Sequence, residues 1–242
     1  DMSELFKDKT TFNEDISGWT VSNVTTMQSM FNGASSFNQT LSGWTLNSGV
    51  TVNDMFLNAT NLIYHSQGTP TISNNRFVLK PYNNELLKTA VDAWIGGDTT
   101  TYGDITLWDV SEITDMSELF KNKTTFNQNI SGWNVSNVKN MSSMFNGATS
   151  FDQNISGWTV SAVTDMSSMF NGANSFDQNI SGWIVSAVTD MSSMFNGASK
   201  FDQNISGWER TTPDTSTLGA VKNMSSMFNG AIAFNQDISG WT

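Results

Sequence analysis

The chain of 242 residues contains no cysteine, one histidine, three prolines and only 14% charged residues. The missing cysteines exclude disulfides, thiol catalysis and cysteine-ligated zinc, and the single histidine, His65, leaves almost nothing for a histidine metal site. Basic residues are also scarce, since 11 Lys and Arg stand against 22 Asp and Glu, for a net charge of −11. This charge repels phosphate backbones and anionic lipids, so we expect no nucleic acid partner. No apolar run approaches roughly 18 residues, which predicts no membrane span in this fragment.

Tryptophan, in contrast, is frequent and regularly spaced. Neighbouring tryptophans lie 25 residues apart wherever the sequence between them is uninterrupted. A period of this size is typical of repeat proteins, in which each unit buries its apolar face against the next unit. We expect the recurring tryptophans to form a structural core: Trp19, Trp44, Trp108, Trp133, Trp158, Trp183, Trp208 and Trp241. Two insertions interrupt the period, one after Trp208 that contains Pro213 and one over about 61–101, and both are expected in loops.

Each repeat contains a segment with the apolar spacing of one helix face. In the repeat over 151–175 the apolar residues of this segment are Met166, Met169, Phe170 and Ala173. Their i, i+3, i+4, i+7 spacing predicts a short helix. Thr164 or Asp165 would cap its N-terminus, and Gly172 would end it in a left-handed conformation, although the Asn-Gly pair is also compatible with a hairpin turn. Where glycine is absent from this slot, the residues are Asp8, Asn58 and Asn122, which also tolerate positive φ.

The other half of the repeat has the alternating pattern of a strand. Trp158 and Val160 alternate with polar residues, which predicts a short strand with one buried face. The stretch from Ile155 to Val160 also has the apolar-x-x-apolar-x-apolar spacing of leucine-rich repeats. A period of 25 residues lies within the range of about 20 to 29 residues seen in that family.

On these residues the chain resembles the BspA-like bacterial surface protein repeat, a leucine-rich-repeat relative also seen in mycoplasma lipoproteins and marked by FNQDISGW-VSNVTDMSSMF. Residues 12–60 and 102–242 carry the pattern. The resemblance implies an α/β repeat solenoid, a leucine-rich-repeat-like right-handed coil with short parallel strands on one side and short helical turns on the other. Met, Phe and Trp replace most leucines, and Val163 stands where the asparagine of leucine-rich repeats would be.

The interruptions predict three parts of the chain. Residues 1–60 would be the end of a first repeat array, and 102–242 a second array of about six 25-residue coils. Between them, 61–101 would be a linker with an amphipathic helix over 84–96 that caps the second array, since an end coil otherwise exposes its apolar face. The residues from Thr71 to Leu79 fit a small hairpin or an extended linker.

The carboxylates do not form a unique constellation, which argues against an enzyme. The slot four residues before Trp holds either acid or amide: Asp15, Asp104 and Asp237, or Asn129, Asn154, Asn179 and Asn204. Because charge is dispensable there, a stacked side-chain hydrogen-bond ladder explains both residue types, and calcium between coils is the alternative. No catalytic, cofactor-binding or metal-ligating residue is expected otherwise.

One position in each repeat, between Trp and Val, is predicted to point outward and varies in size and charge. We expect these residues to be ligand-facing: Thr20, Thr45, Asp109, Asn134, Thr159, Ile184 and Glu209. The resemblance implies a non-catalytic extracellular or cell-surface module for adhesion or protein interaction, with an extracellular protein or glycan as partner. Two alternatives remain at this point: a structural spacer that associates end to end with other copies, and a solenoid that binds ice or polysaccharide.

Overall fold

The computed structural model describes residues 1–62, 70, 72–73, 76–81, 83–99, 101–212, 215–216 and 220–241, without the side chains of 73, 209–212 and 215–216. His65 and Pro213 lie outside the described residues, as does the side chain of Glu209. The chain divides into two compact units, Asp1–Val110 and Ser111–Thr242. Each unit consists mainly of stacked repeats with little regular secondary structure.

The regular elements lie in the insertions and at their borders. The first unit contains β1 (Ile72–Ser73), β2 (Arg76–Phe77), α1 (Asn84–Ile95) and a 3-10 helix, Ile105–Leu107. The second unit contains a 3-10 helix, Ser206–Glu209, followed by β3 (Arg210–Thr212) and β4 (Thr215–Ser216). Both strand pairs are antiparallel. Of the two interpretations for the stretch before α1, the hairpin therefore applies to β1 and β2.

Helix α1 begins and ends where its sequence signals lie. The Asn83 side chain accepts a hydrogen bond from the Leu86 backbone N–H (2.8 Å), which satisfies one free donor of the first turn. The apolar face is buried, and its residues are Leu86, Leu87, Ala90 and Val91. Near the other end, the Trp94 indole N–H donates to the Gly103 carbonyl (2.9 Å). The capping of the second array by α1 stays a prediction.

Successive repeats are joined by backbone hydrogen bonds between equivalent segments of the chain, which we call ladder segments. The ladder segments of the second unit cover 115–122, 140–147, 165–172, 190–197 and 223–230. Alternate N–H groups of one segment donate to the next repeat, as from Ser168 to the Ser192 carbonyl (2.8 Å). The intervening N–H groups donate locally, as from Met169 to the Met166 carbonyl (3.2 Å). Both sets of backbone donors are thus satisfied. Isolated parallel bridges mark the start of each segment: Thr26 with Thr51 in the first unit, and Asp115, Asn140, Asp165, Asp190 and Asn223 in series in the second.

The prediction of a short helix over Met166 to Ala173 is wrong. The segment consists of turns, and Ser168 has φ of 55°, far from the helical value near −60°. Alternate N–H groups bind the neighbouring repeat, so the i to i−4 bonds of a helix cannot form. The helical spacing nevertheless identified the buried side chains, because Met166, Met169, Phe170 and Ala173 are fully buried.

The prediction of a strand around Trp158 and Val160 is also wrong. These residues lie between two tight turns, which are closed by hydrogen bonds from Trp158 N–H to the Ile155 carbonyl and from Val163 N–H to the Val160 carbonyl. The parallel pairing lies in the ladder segment that follows. Alternation again described burial correctly, since Trp158 and Val160 are buried while Thr159 between them is exposed.

The glycine slot at the end of the ladder segment behaves as predicted. Gly172 has φ of 68°, and the residues that replace glycine there have φ of 57°, 60° and 59°: Asp8, Asn58 and Asn122. The left-handed conformation lets the chain turn away after the last ladder bond, from Gly172 N–H to the Asn196 carbonyl (2.7 Å).

Aromatic rings form the centre of each repeat stack. Phe170 packs on Phe176 of the same repeat, with ring centroids 4.0 Å apart. Between repeats, Phe170 lies 5.6 Å from Phe145 and 5.7 Å from Phe195, with nearly parallel planes. Methionines such as Met166 and Met169 are fully buried in the same stack, which suits an unbranched and polarisable side chain.

Candidate binding surface

The predicted outward positions that follow Trp133, Trp158 and Trp183 form one exposed position in each of three consecutive repeats. They are Asn134, Thr159 and Ile184, and together they are called the rung surface. All three residues are exposed, Ile184 with 46% of its surface. Their side chains are an amide, a hydroxyl and a hydrocarbon, so the chemistry changes from one repeat to the next.

The buried tryptophans hold the turns that carry the rung surface. The Trp158 indole N–H donates to the Ile130 carbonyl of the preceding repeat (3.2 Å), and the Trp183 indole N–H donates likewise to Ile155 (3.2 Å). Thr159 and Ile184 therefore each follow a side chain that is fixed by packing and by a hydrogen bond between repeats. This arrangement presents exposed side chains on a rigid base, which lowers the entropy cost of binding.

Charged residues are nearly absent from the turns that carry the rung surface, where Lys139, five residues after Asn134, is the exception. No charged residue occurs from Trp158 to Thr164 or from Trp183 to Thr189. Asn134 uses its side-chain oxygen to accept from the Ser136 backbone N–H (3.1 Å). A surface with few charges that mixes polar groups with one exposed apolar side chain suits contact with another protein or with an uncharged glycan.

The remaining predicted ligand-facing residues have different settings. Thr20 and Thr45 of the first unit are exposed. Asp109 is only partly exposed, because its carboxylate lies 3.6 Å from the Lys80 ammonium and its backbone N–H donates to the Leu79 carbonyl. The side chain of Glu209 is outside the described residues.

The tryptophans predicted as core residues occupy the interior of the stacks, except near two edges. The buried ones are Trp44, Trp108, Trp133, Trp158, Trp183 and Trp208. Trp19 keeps 39% of its surface exposed, and Trp241 is partly exposed. Trp241 also has a buried indole nitrogen without a partner among the described residues.

The side-chain hydrogen-bond ladder predicted for the slot four residues before Trp is not found there. At this slot the side-chain oxygen accepts from the backbone N–H two residues later: the Ser156 N–H donates to Asn154 (3.0 Å), and the Ser17 N–H donates to Asp15 (2.9 Å). These are local turns within one repeat. They explain why Asp and Asn are interchangeable, since each supplies the same acceptor oxygen.

A ladder between repeats lies instead two residues earlier in the sequence. The Asp152 side-chain oxygen accepts both the Asp177 backbone N–H (3.0 Å) and the Gln178 side-chain amide (2.8 Å) of the next repeat. Asp177 and Asp202 repeat the arrangement one and two repeats further on. The recurring Asn/Asp-Gln pair in the sequence was the signal that could have identified this ladder.

Hydrogen bonds lower the pKa of several carboxyls along the stack. The Gln236 amide and the Asn235 backbone N–H hold the pKa of Asp202 below its usual value. For Asp190, burial opposes ionisation, but hydrogen bonds from Ser192 and Asn223 outweigh it and lower the pKa. The carboxylates are thus stabilised in their charged form by protein donors.

The described residues hold no cluster of three or more His, Cys, Asp or Glu side chains that could bind a metal ion. Calcium binding between coils stays an untested alternative. Among the described helices, none has the length and apolar character needed to cross a membrane.

Comparison with family models gives one match that covers most of the chain. The matched family is described as "Mycoplasma protein of unknown function, DUF285", and the match covers residues 1–75, 89–208 and 183–242. The chain belongs to this family. The overlapping matched ranges agree with the internal repeat, because one family model fits several parts of the same chain. Neither the search of curated proteins nor the search of solved structures gave a match.

Proposed function

We propose that the chain is a non-catalytic repeat solenoid of the BspA-like type, displayed extracellularly or at a cell surface, that binds another protein or a glycan. The parallel bridges and the aromatic column between successive repeats support the solenoid. The short strands and helices of a leucine-rich repeat would then be replaced by ladder segments and turns.

The single observation that carries the binding role is the contrast within the rung surface. In each repeat the exposed residue follows a buried Trp, whereas the exposed residue itself is Asn134, Thr159 or Ile184. Packing requires the tryptophans, but among the described residues no hydrogen bond between repeats uses the side chains of Asn134, Thr159 or Ile184. Contact with a partner is one reason for such side chains to differ, and Ile184 would supply its apolar centre.

The test compares substitutions on the rung surface with substitutions on the ladder segments of the 242-residue chain. A binding screen against fibronectin, collagen and starch, with calcium and with chelator, first identifies a saturable ligand. We expect Ile184→Ser combined with Thr159→Ala to weaken that binding at least about tenfold without lowering thermal stability. Ser167→Ala combined with Ser192→Ala on the ladder segments is the matched control, and we expect it to bind as the unchanged chain does.

Each outcome separates the candidate functions. Loss of binding in the control set but not in the rung set would move the contact to the ladder segments. Silence across the whole screen would contradict adhesion to these ligand classes and favour a structural spacer.

A further inference from the structure

A cavity of about 530 Å³ lies within the first unit, apart from the rung surface. It is lined by the turn before Trp44, by β2 with the two residues that follow it, by Thr99 and by residues between Tyr102 and Trp108. Its walls are largely apolar, with Val78, Leu79 and Leu107 among them. The volume falls in the range of small-molecule sites.

One wall of this cavity is held by three side-chain hydrogen bonds to consecutive carbonyls. The Thr40 hydroxyl donates to the Thr101 carbonyl (2.8 Å). The indole N–H groups of Trp108 and Trp94 donate to the carbonyls of Tyr102 (2.8 Å) and Gly103 (2.9 Å), respectively. A wall fixed in this way is formed before a ligand arrives, which favours binding.

Two side chains of opposite charge line the cavity, and they are the only charged residues among its described lining. The Arg76 guanidinium donates through one nitrogen to the Ser42 carbonyl (3.3 Å), and the group carries five N–H donors in all. One carboxylate oxygen of Asp104 accepts two hydrogen bonds, from the backbone N–H and from the hydroxyl of Thr106. Both side chains are exposed and retain capacity for a ligand.

We propose that this cavity binds a zwitterionic ligand with an apolar body, namely a free apolar amino acid or a short apolar peptide with charged termini. Arg76 would bind the carboxylate, because a guanidinium presents paired donors that match its two oxygens. Asp104 would bind the ammonium group. The apolar side chain of the ligand would contact Val78, Leu79 and Leu107, whose hydrocarbon surface rewards burial.

The probes are L-leucine and leucyl-leucine, compared with N-acetyl-leucine and leucinamide, each of which lacks one charge. We expect isothermal titration calorimetry of the whole chain to detect leucine or leucyl-leucine, and binding at least about tenfold weaker for both single-charge compounds. Equal binding of leucine and N-acetyl-leucine would overturn the zwitterion assignment. Absence of binding by all four compounds at millimolar concentration would overturn the site.

Two charge variants test the assigned contacts. Arg76→Gln should reduce binding at least about tenfold, and so should Asp104→Asn. The asparagine keeps the acceptor oxygen of the local turn, as Asn154 does at the same slot, so the fold should be retained. Unchanged affinity in both variants would contradict the proposal.

A pair of glycines supplies a steric test with a matched control. Gly43 lines the cavity, and a Cβ added there would meet no atom within 4 Å. Gly157 occupies the same slot before its tryptophan in the second unit, with the same open surroundings. Gly43→Phe should abolish binding of the dipeptide, whereas Gly157→Phe should bind it unchanged. If Gly43→Phe fails to fold, as thermal unfolding would show, the two charge variants decide the question.

Discussion

The two sides of a repeat in the second unit are held together in different ways. On the ladder segments, backbone groups of neighbouring repeats bind each other directly, and small polar residues such as Ser167 and Ser192 recur with little change. On the side of the rung surface, the tryptophan indoles of two repeats donate to carbonyls of the preceding repeat, and the exposed residue differs among Asn134, Thr159 and Ile184. A backbone ladder restricts conformation at each of its residues, whereas an indole hydrogen bond restricts only the residue that makes it. The positions at which this fold accepts different residue types therefore lie beside the tryptophans.

The largest expected loss of stability comes from removing a tryptophan that links two repeats beside the rung surface. Trp158→Ala should lower the free energy of unfolding by about 3 to 5 kcal/mol, because it deletes a buried ring and the hydrogen bond to the Ile130 carbonyl. Urea denaturation followed by circular dichroism measures the loss. Thr159→Ala, one residue further on and exposed, is the control and should change stability by less than about 0.5 kcal/mol. Equal stability of the two variants would refute the structural role of the tryptophan.

A smaller loss of stability is expected from glycine substitutions, which compare the backbone of a ladder segment with the backbone beside the rung surface. Gly172→Ala places a Cβ at φ of 68° in a ladder segment and should cost about 1 to 2 kcal/mol. Gly157→Ala, beside the rung surface, lacks a positive φ and has open space at its Cβ, so it should cost less than about 0.5 kcal/mol. Gly172→Asn should cost less than Gly172→Ala, since Asn122 adopts this conformation in an earlier repeat. Thermal unfolding of the three variants gives the order, and a reversed order would show that positive φ does not limit this slot.

The smallest expected effect concerns the acidic ladder between repeats. The folded pKa of Asp202 is lowered by the Gln236 amide and the Asn235 N–H, so its contribution is present above the unfolded pKa. The contribution is lost as the pH falls through the folded pKa, in the region below about pH 4. Asp202→Asn keeps the acceptor oxygen, as Asn127 does for Asp152 (2.9 Å), and should make the loss of stability in acid shallower.

Thermal unfolding at pH 7 and at steps down to pH 2 tests this expectation. Asn127→Asp is the reciprocal variant and should make the loss of stability in acid steeper. An identical pH profile for Asp202→Asn and the unchanged chain would contradict a role for ionised Asp202.

The sequence predicted the buried positions more accurately than the backbone. The helical spacing of Met166, Met169 and Phe170 and the alternation of Trp158 with Val160 both identified interior side chains. Neither pattern identified the conformation, because apolar spacing records which side chains face inward and several backbone paths satisfy it. The left-handed Ser168 could not be predicted, since serine has no preference for positive φ of the kind shown by glycine or asparagine.

The candidate sites likewise contain some features that the sequence predicted and others that it did not. Exposure of Asn134, Thr159 and Ile184 followed from the outward position between two apolar residues. The ion pair of Asp109 with Lys80 and the cavity beside Arg76 could not be predicted, because each depends on residues brought together by the insertion in the first unit.

The sequence by itself determined the repeat, the side chains that fill its interior and the left-handed slot of Gly172. These are properties of residue type and spacing, so they can be read from one chain. Only the tertiary structure decided where the backbone hydrogen bonds go. An N–H group such as that of Ser168 can bind four residues back or the next repeat, and stacked repeats place the Ser192 carbonyl within 2.8 Å of it. With that acceptor in place, a helix would leave the ladder unpaired, and the chain forms turns instead.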